Sequence, residues 1–355
     1  MQKQSHKDSH VFSPQKGESC RPIQATIKDV ATLAGVSLMT VSRTLHHPDK
    51  VSEATRKRVQ DAIESTGYIP NRLAGGLSGF HTGQVAVLVP SLSNLVFSDM
   101  LNGLASVLEP QGMQMIVSNY HYTQVILERQ IPAILGWAPD GLVLVGPVPV
   151  SAVPSLRSRG MPVVEVVELL ETAFDCNVGI DHYGAGVAMA KHLLKLGYRK
   201  FATISANAGL ERRTKFRVDG FVEQVMKAGM PVPARVELAG RSSISEGRTA
   251  MQQMLAQQQL PEAVFCSNDD LAFGAMMACQ EAGISVPKDM GIAGFNGVDL
   301  ALHCLPSITT VMVDRENIGV CAGQMILQRL SGTSRGLRKD VGFKIVPGNS
   351  TRMIH

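Results

Sequence analysis

Between Gln84 and about Pro347 the chain alternates short, unbroken apolar runs with helix-length segments. The runs are Val85–Val89, Met113–Val117, Gly141–Val145, Pro162–Val164, Phe201–Ile204, Ala263–Phe265 and Gly291–Ala293. Strands that are apolar on consecutive rather than alternate positions suit a parallel sheet covered on both faces. Between the runs lie Phe97–Gln111, Gly184–Leu196 and Leu271–Ala282, each long enough for a helix. Repeated β-α units of this length predict an α/β core with doubly wound parallel sheets. Upstream, from Thr26 to about Gly67, the pattern is helical and short-looped. Ile27 to Ala34 carries Ile27, Val30, Ala31 and Ala34 on one stripe, and Gly35 supplies a turn that tolerates positive φ. Ser37 is placed to cap a second helix, Leu38 to Leu45, with Val41, Thr44 and Leu45 on one side. Leu38, Met39, Ser42 and Arg43 fall on the opposite arc. A third helix, from its cap Ser52 to about Ser65, is apolar at Val59, Ala62 and Ile63 and basic at Arg56, Lys57 and Arg58.

A three-helix unit of about 40 residues whose second helix offers an arginine and two apolar side chains has the form of a helix-turn-helix. The same pattern would also serve a plain helical subdomain with a solvated basic face. The joining stretch Tyr68–Gly79 has Pro70 to start a short helix and Gly75 and Gly76 to weaken it, so it is expected to fold only against a partner. The expected organisation is a disordered extension over residues 1–25, a helix-turn-helix domain over 26–69, a joining segment over 70–81, and an α/β core over 82–355.

Composition narrows the function classes. Of 355 residues, 45% are hydrophobic and 18% charged, enough to bury a sizeable core. The net charge of +4 permits an anionic partner without arguing for nucleic acid by itself. Six cysteines without a CxxC pair read as free thiols in a reducing compartment. Met1 to Ala25 contains no apolar run that could act as a signal peptide, and no stretch approaches the roughly 20 apolar residues of a membrane span. A cytoplasmic protein is expected, without metal or cofactor. Val89-Pro90-Ser91-Leu92-Ser93-Asn94 follows the first strand where a dinucleotide-binding enzyme needs G-x-G-x-x-G, and no Ser/His/Asp set emerges. Enzyme and transport-type sugar carrier are therefore disfavoured.

Thr26-Ile27-Lys28-Asp29-Val30-Ala31, Ala34-Gly35-Val36-Ser37 and Thr40-Val41-Ser42-Arg43 resemble the headpiece of the lactose-repressor/galactose-repressor family. Val51-Ser52, Thr55-Arg56, Gly67-Tyr68 and Pro70-Asn71 continue the likeness, which extends from Thr26 to Thr351. It implies a recognition helix, capped by Ser37, that lies in the major groove of operator DNA. Leu38 and Met39 would read bases, apolar side chains suited to thymine methyls, with Ser42 and Arg43 on the same face. Thr40, Ser52, Thr55, Tyr68 and Asn71 would grip phosphates, and Leu77 would wedge into the minor groove. Gly75-Gly76 departs from the family's usual hinge.

The same resemblance implies a DNA-binding domain over 26–69, a hinge helix and linker over 70–81, a homodimer, and over 82–355 a two-lobed effector-binding and dimerisation core like the periplasmic sugar-binding fold. Its two lobes would be linked by three crossovers, expected near Glu171–Asp181, Gly294–Leu305 and Pro306–Asp314. Effector would sit at the strands' carboxyl ends. Ser91, Asn94 and Phe97 follow the first strand; Arg213 and Arg217 follow the Phe201 strand. A guanidinium pair suits a carboxylate or phosphate. Asn268 and Asp269 end the Val264 strand, Asn296 ends the Gly291 strand, and Ser242 stands where relatives tend to carry a stacking aromatic. Simpler readings are helix capping for Asn268 and Asp269, solvation for the arginines, and core packing shared with the cleft for Phe97. Val89–Leu92, Pro162–Glu165, Val264–Asp270 and Asp340–Phe343 bring the chain nearest to the gluconate- and idonate-responsive branch. That branch tends to have Lys where Leu38 stands. An acyclic sugar acid, gluconate or its 6-phosphate, is the implied effector; another sugar, or an activator, is the alternative.

Overall fold

The computed structural model describes residues 25–69, 81–207, 209–257, 259–333 and 336–354. The chain divides into two compact units between Ala74 and Gly75.

In the first unit α1 (Ile27–Ala34), α2 (Leu38–His46) and α3 (Glu53–Thr66) close on a small core of Val30, Ala31, Ala34, Val41, Val59 and Ala62. These are the stripe residues of the sequence pattern. Gly35 turns the chain at φ 62°, and the Ser37 hydroxyl accepts from the Thr40 amide at 3.1 Å to start α2. Thr26 donates through both its amide and its hydroxyl to the Asp29 carboxylate, at 2.8 and 2.7 Å, which anchors the start of α1.

The second unit has two lobes. The first sheet contains β1 (Gln84–Val89), β2 (Gln114–Asn119), β3 (Gly141–Val145), β4 (Val163–Glu168), β5 (Cys176–Ile180) and β11 (Arg338–Asp340), in the order β11-β5-β4-β3-β1-β2. The second contains β6 (Phe201–Ser205), β7 (Ala234–Glu237), β8 (Ala263–Cys266), β9 (Gly291–Asn296), β10 (Thr309–Met312) and β12 (Lys344–Val346), in the order β12-β10-β9-β8-β6-β7. All neighbours run parallel except β12 against β10. Central strands are buried along their whole length, as continuous apolar runs require.

The helices of the cleft follow from this frame. In the first lobe α4 (Leu95–Leu108) packs against α12 (Arg315–Leu330). In the second, α7 (His182–Lys195) packs against α8 (Arg212–Lys227), and α9 (Ile244–Leu255) against α10 (Asp269–Glu281). The α7–α8 approach depends on reciprocal glycines: a Cβ on Gly186 would collide with the Arg217 carbonyl, and one on Gly220 with the Tyr183 carbonyl.

The crossovers require a correction. The first runs from β5 into α7 at Ile180–His182, at the end of the expected Glu171–Asp181 stretch. The expected Gly294–Leu305 crossover does not exist, because β9 and β10 lie side by side in the second sheet. The second crossover is Val313–Asp314, between β10 and α12, at the end of the expected Pro306–Asp314 stretch. The third is Val341–Phe343, between β11 and β12. β11 is polar and exposed and β12 is only three residues long, so no apolar run marked them.

Candidate recognition face and inter-lobe cleft

On the headpiece, Leu38, Met39 and Arg43 are exposed on α2 while Val41 on the opposite side is fully buried. Met39 is 69% exposed, and its one side-chain hydrogen bond among the described residues is accepted by its sulfur from Arg43 Nη2 at 3.7 Å. Thr40 is hydrogen-bonded to the Ser37 hydroxyl at 2.9 Å, and Ser52 to Thr55 at 3.0 Å, so these hydroxyls are pre-oriented along the surface. Ser42 is half-buried beside them, and Tyr68 packs half-buried on the headpiece core. Asn71 and Leu77 lie outside the described residues.

In the core, strand ends of both sheets meet at a cleft. Its inner recess is lined by Asn94, Phe97, Arg213, Arg217, Asn268 and Asn296 among others, with room of about 30 Å³, enough for one or two waters. It opens into an outer chamber of about 480 Å³ lined by Ser91, Ser242 and Asp269. All nine sequence-predicted cleft residues therefore reach one composite site. Their states differ. Phe97 is core and cleft at once. Asn268 caps α10, accepting from the Leu271 amide at 3.0 Å, and still faces the recess. Asp269 spends its carboxylate on the Val298 amide at 3.0 Å and the Thr310 hydroxyl at 2.7 Å, pinning α10 to β10. Burial pushes its carboxyl up to about 6, with those hydrogen bonds pulling back. Asn296 holds φ 118°, strained for a residue with a Cβ.

Arg217 is the unusual group. It is 7% exposed, and its guanidinium lies 3.7 Å over the Phe295 ring. Nε donates to His182 Nδ1 at 3.2 Å and Nη1 to the Ser267 carbonyl at 2.7 Å. No carboxylate pairs with it among the described residues. Burial, then the neighbouring Arg213 cation, lowers its pKa from the ordinary arginine range to about 9. A buried cation without an ionic partner is costly to the fold.

Sequence reasoning missed several cleft residues. His182 joins Arg217 to the Val167 carbonyl, 3.2 Å from its Nε2. Glu168 pairs with Arg212 at 2.9 Å, yet its other buried oxygen has no hydrogen-bond partner among the described residues. Arg315 bridges the lobes, bonding Asp99 through Nε at 2.9 Å and Nη2 at 2.7 Å and donating to the Asn296 carbonyl. Arg241 crosses the mouth, donating to the His121 carbonyl at 2.6 Å and lying 5.2 Å from the Tyr122 ring. Only His182 and Glu168 carried the strand-end signal that marked Asn268; Arg241 and Arg315 reach in from loops and a helix start.

Residues 26–71 match the bacterial regulatory proteins of the lacI family, and residues 190–351 match the periplasmic binding protein-like domain. The HTH-type transcriptional regulator GntR of Escherichia coli K12 is 35% identical over 332 residues, 93% of this chain and 98% of that protein. This chain belongs to the LacI family of transcription regulators. The regulator IdnR of the same organism is 32% identical over 92% of this chain and 98% of its own length. A LacI-family regulator from Silicibacter pomeroyi superposes with a TM-score of 0.86 at 35% identity, covering 92% of this chain and 99% of that one. The lac repressor dimer bound to operator shares the fold, with a TM-score of 0.80 at 24% identity, over 93% and 99% of the two chains. The DNA-binding regulator and the two-lobed α/β core expected from the sequence are thus the family's own. Among the described residues no helix is long and apolar enough to cross a membrane.

Proposed function

We propose that this LacI-family protein is a cytoplasmic, non-enzymatic repressor that binds double-stranded operator DNA as a homodimer and is released by a sugar acid. The observation that carries the effector class is Arg217, buried in the cleft without an anionic partner among the described residues and flanked by half-buried Arg213. A carboxylate can accept from the N–H groups of Arg217 that the protein leaves unused, a charge-assisted pairing a neutral hexose cannot offer. The hydroxyls of an open-chain acid match the polar rim of Asn94, Asn268, Asn296 and Ser242. Ser242, bonded to Glu211 at 3.1 Å, leaves no aromatic platform at that position for a ring. Gluconate, or its 6-phosphate, fits this chemistry and the likeness to GntR and IdnR.

On the headpiece the reading face is Leu38, Met39, Ser42 and Arg43 behind the Ser37 cap, with Thr40, Ser52, Thr55, Tyr68 and Asn71 gripping phosphates and Leu77 wedging the minor groove. Effector closes the cleft, reorients the first lobe and withdraws the hinge from DNA; a hundredfold change in operator affinity needs about 2.7 kcal/mol of differential binding. Isothermal titration of the full chain against gluconate, 6-phosphogluconate and glucose tests the effector class. Heat with an acid and release of labelled operator are expected. Heat with glucose alone would refute the reading.

A further inference from the structure

We infer that His182 is a positioning residue of the cleft, which aims the Arg217 guanidinium at the effector's anionic group and ties it to the first lobe. The inference rests on the sugar-acid reading above for the identity of the anion, but its geometry stands on the protein alone.

His182 opens α7 directly after the first crossover and is 3% exposed. Its two nitrogens face opposite chemistry. Arg217 Nε can only donate, so His182 Nδ1 accepts and carries no proton. The Val167 carbonyl can only accept, so Nε2 carries the proton and donates to it. The ring is thereby held as one neutral tautomer from both sides. Burial holds it neutral first, then the Arg217 and Arg213 cations, the charged groups that face it; β4 and β9 present Val167 and the Phe295 ring, 5.8 Å away.

The consequence falls on Arg217. Of five guanidinium N–H donors, one goes to His182 and one to Ser267, leaving three for the cleft. With Phe295 under its plane, the His182 bond sets the rotation that turns those three N–H groups to the recess. The relay also spans the lobes: Arg217 belongs to the second, while Val167 lies on β4 of the first at φ 79°, a conformation that non-glycine residues rarely hold. An anion that pulls on Arg217 pulls, through His182, on a strained strand of the other lobe.

The test uses the full chain. Gluconate affinity is measured by titration for wild type, His182→Leu and His182→Gln. Leu removes both bonds and should weaken gluconate roughly ten- to hundredfold. Gln offers an acceptor and a donor at similar reach and should recover most of that loss, which a purely space-filling role would not produce. Independently of ligand, the long-range proton–nitrogen NMR spectrum of wild type should show His182 as the Nε2–H tautomer, still neutral at the ordinary imidazole midpoint of about pH 6.5. Wild-type affinity in folded His182→Leu, an Nδ1–H tautomer, or an imidazolium at that pH overturns the inference. If wild type itself takes no gluconate, the sugar-acid reading fails, and the tautomer still decides the assignment of His182.

Discussion

Replacing Arg217 by Met removes a cation while keeping most of its volume, and its cost can be worked from the surroundings. Burial holds the guanidinium's pKa down at about 9, well below the ordinary arginine range, so the protein disfavours its charged form by roughly 5 kcal/mol, at about 1.4 kcal/mol per decade. Against that gain, Met strands the His182 Nδ1 and the Ser267 carbonyl, at about 1–3 kcal/mol each, and forfeits a cation–π contact of about 2 kcal/mol. The opposing sums nearly cancel, and the ligand-free stability of Arg217→Met should lie within about 3 kcal/mol of wild type. Effector binding has no such compensation. Two charge-assisted bonds to a carboxylate are worth about 3–6 kcal/mol, so gluconate should bind at least about a hundredfold more weakly. Urea unfolding with and without gluconate separates the two effects. At a hundred times its Kd, gluconate stabilises wild type by about 2.7 kcal/mol and should leave the variant unmoved at the same concentration. A variant that keeps this ligand-induced gain, or that loses more than about 4 kcal/mol without ligand, refutes the account of Arg217 as an unpaired, ligand-seeking cation.

Two further outcomes are expected. Asp269 has a folded value of about 6 against 3.8 unfolded, so between those pH values the folded chain holds a proton that the unfolded chain has released. Its contribution is therefore largest below pH 3.8 and is lost as pH rises towards about 6, by roughly 3 kcal/mol; Asp269→Asn should flatten that part of the difference in urea-unfolding profiles, and identical profiles would contradict it. Leu77→Ala should weaken operator binding roughly tenfold or more in a fluorescence-anisotropy titration, and unchanged affinity would remove the minor-groove wedge.

The elements that local pattern can carry were legible. The α1 stripe, the Gly35 turn and the Ser37 cap all act within a few residues, and each stands where the sequence places it. Six of the seven apolar runs became interior strands, because burial on both faces leaves a continuous apolar signature, and the seventh, Met113–Val117, became the partly exposed edge strand β2. β7, β11 and β12 were not legible because they are strands of three or four residues at sheet edges, and the interior strands β5 and β10 were missed because Asn177, Gly179, Thr309 and Thr310 break their apolar runs. The misplaced crossover has the same origin, since nothing local tells whether Thr309–Met312 rejoins the second sheet or leaves it.

The cleft divides along the same line. Asn94, Asn268 and Asn296 could be placed because a parallel α/β lobe gathers polar residues at its strand ends. Their sequence by itself determined a DNA-reading headpiece, a two-lobed core and a set of polar and cationic residues at one end of it. The tertiary structure alone decided what those residues are. Arg217 becomes a buried, unpaired cation because Phe295, His182 and Ser267, from three distant segments, pack around it. Asp269 becomes a structural clamp because Val298 and Thr310 arrive to take its oxygens. Charge state and availability depend on burial and on partners far along the chain, and those distances are set only when the chain folds.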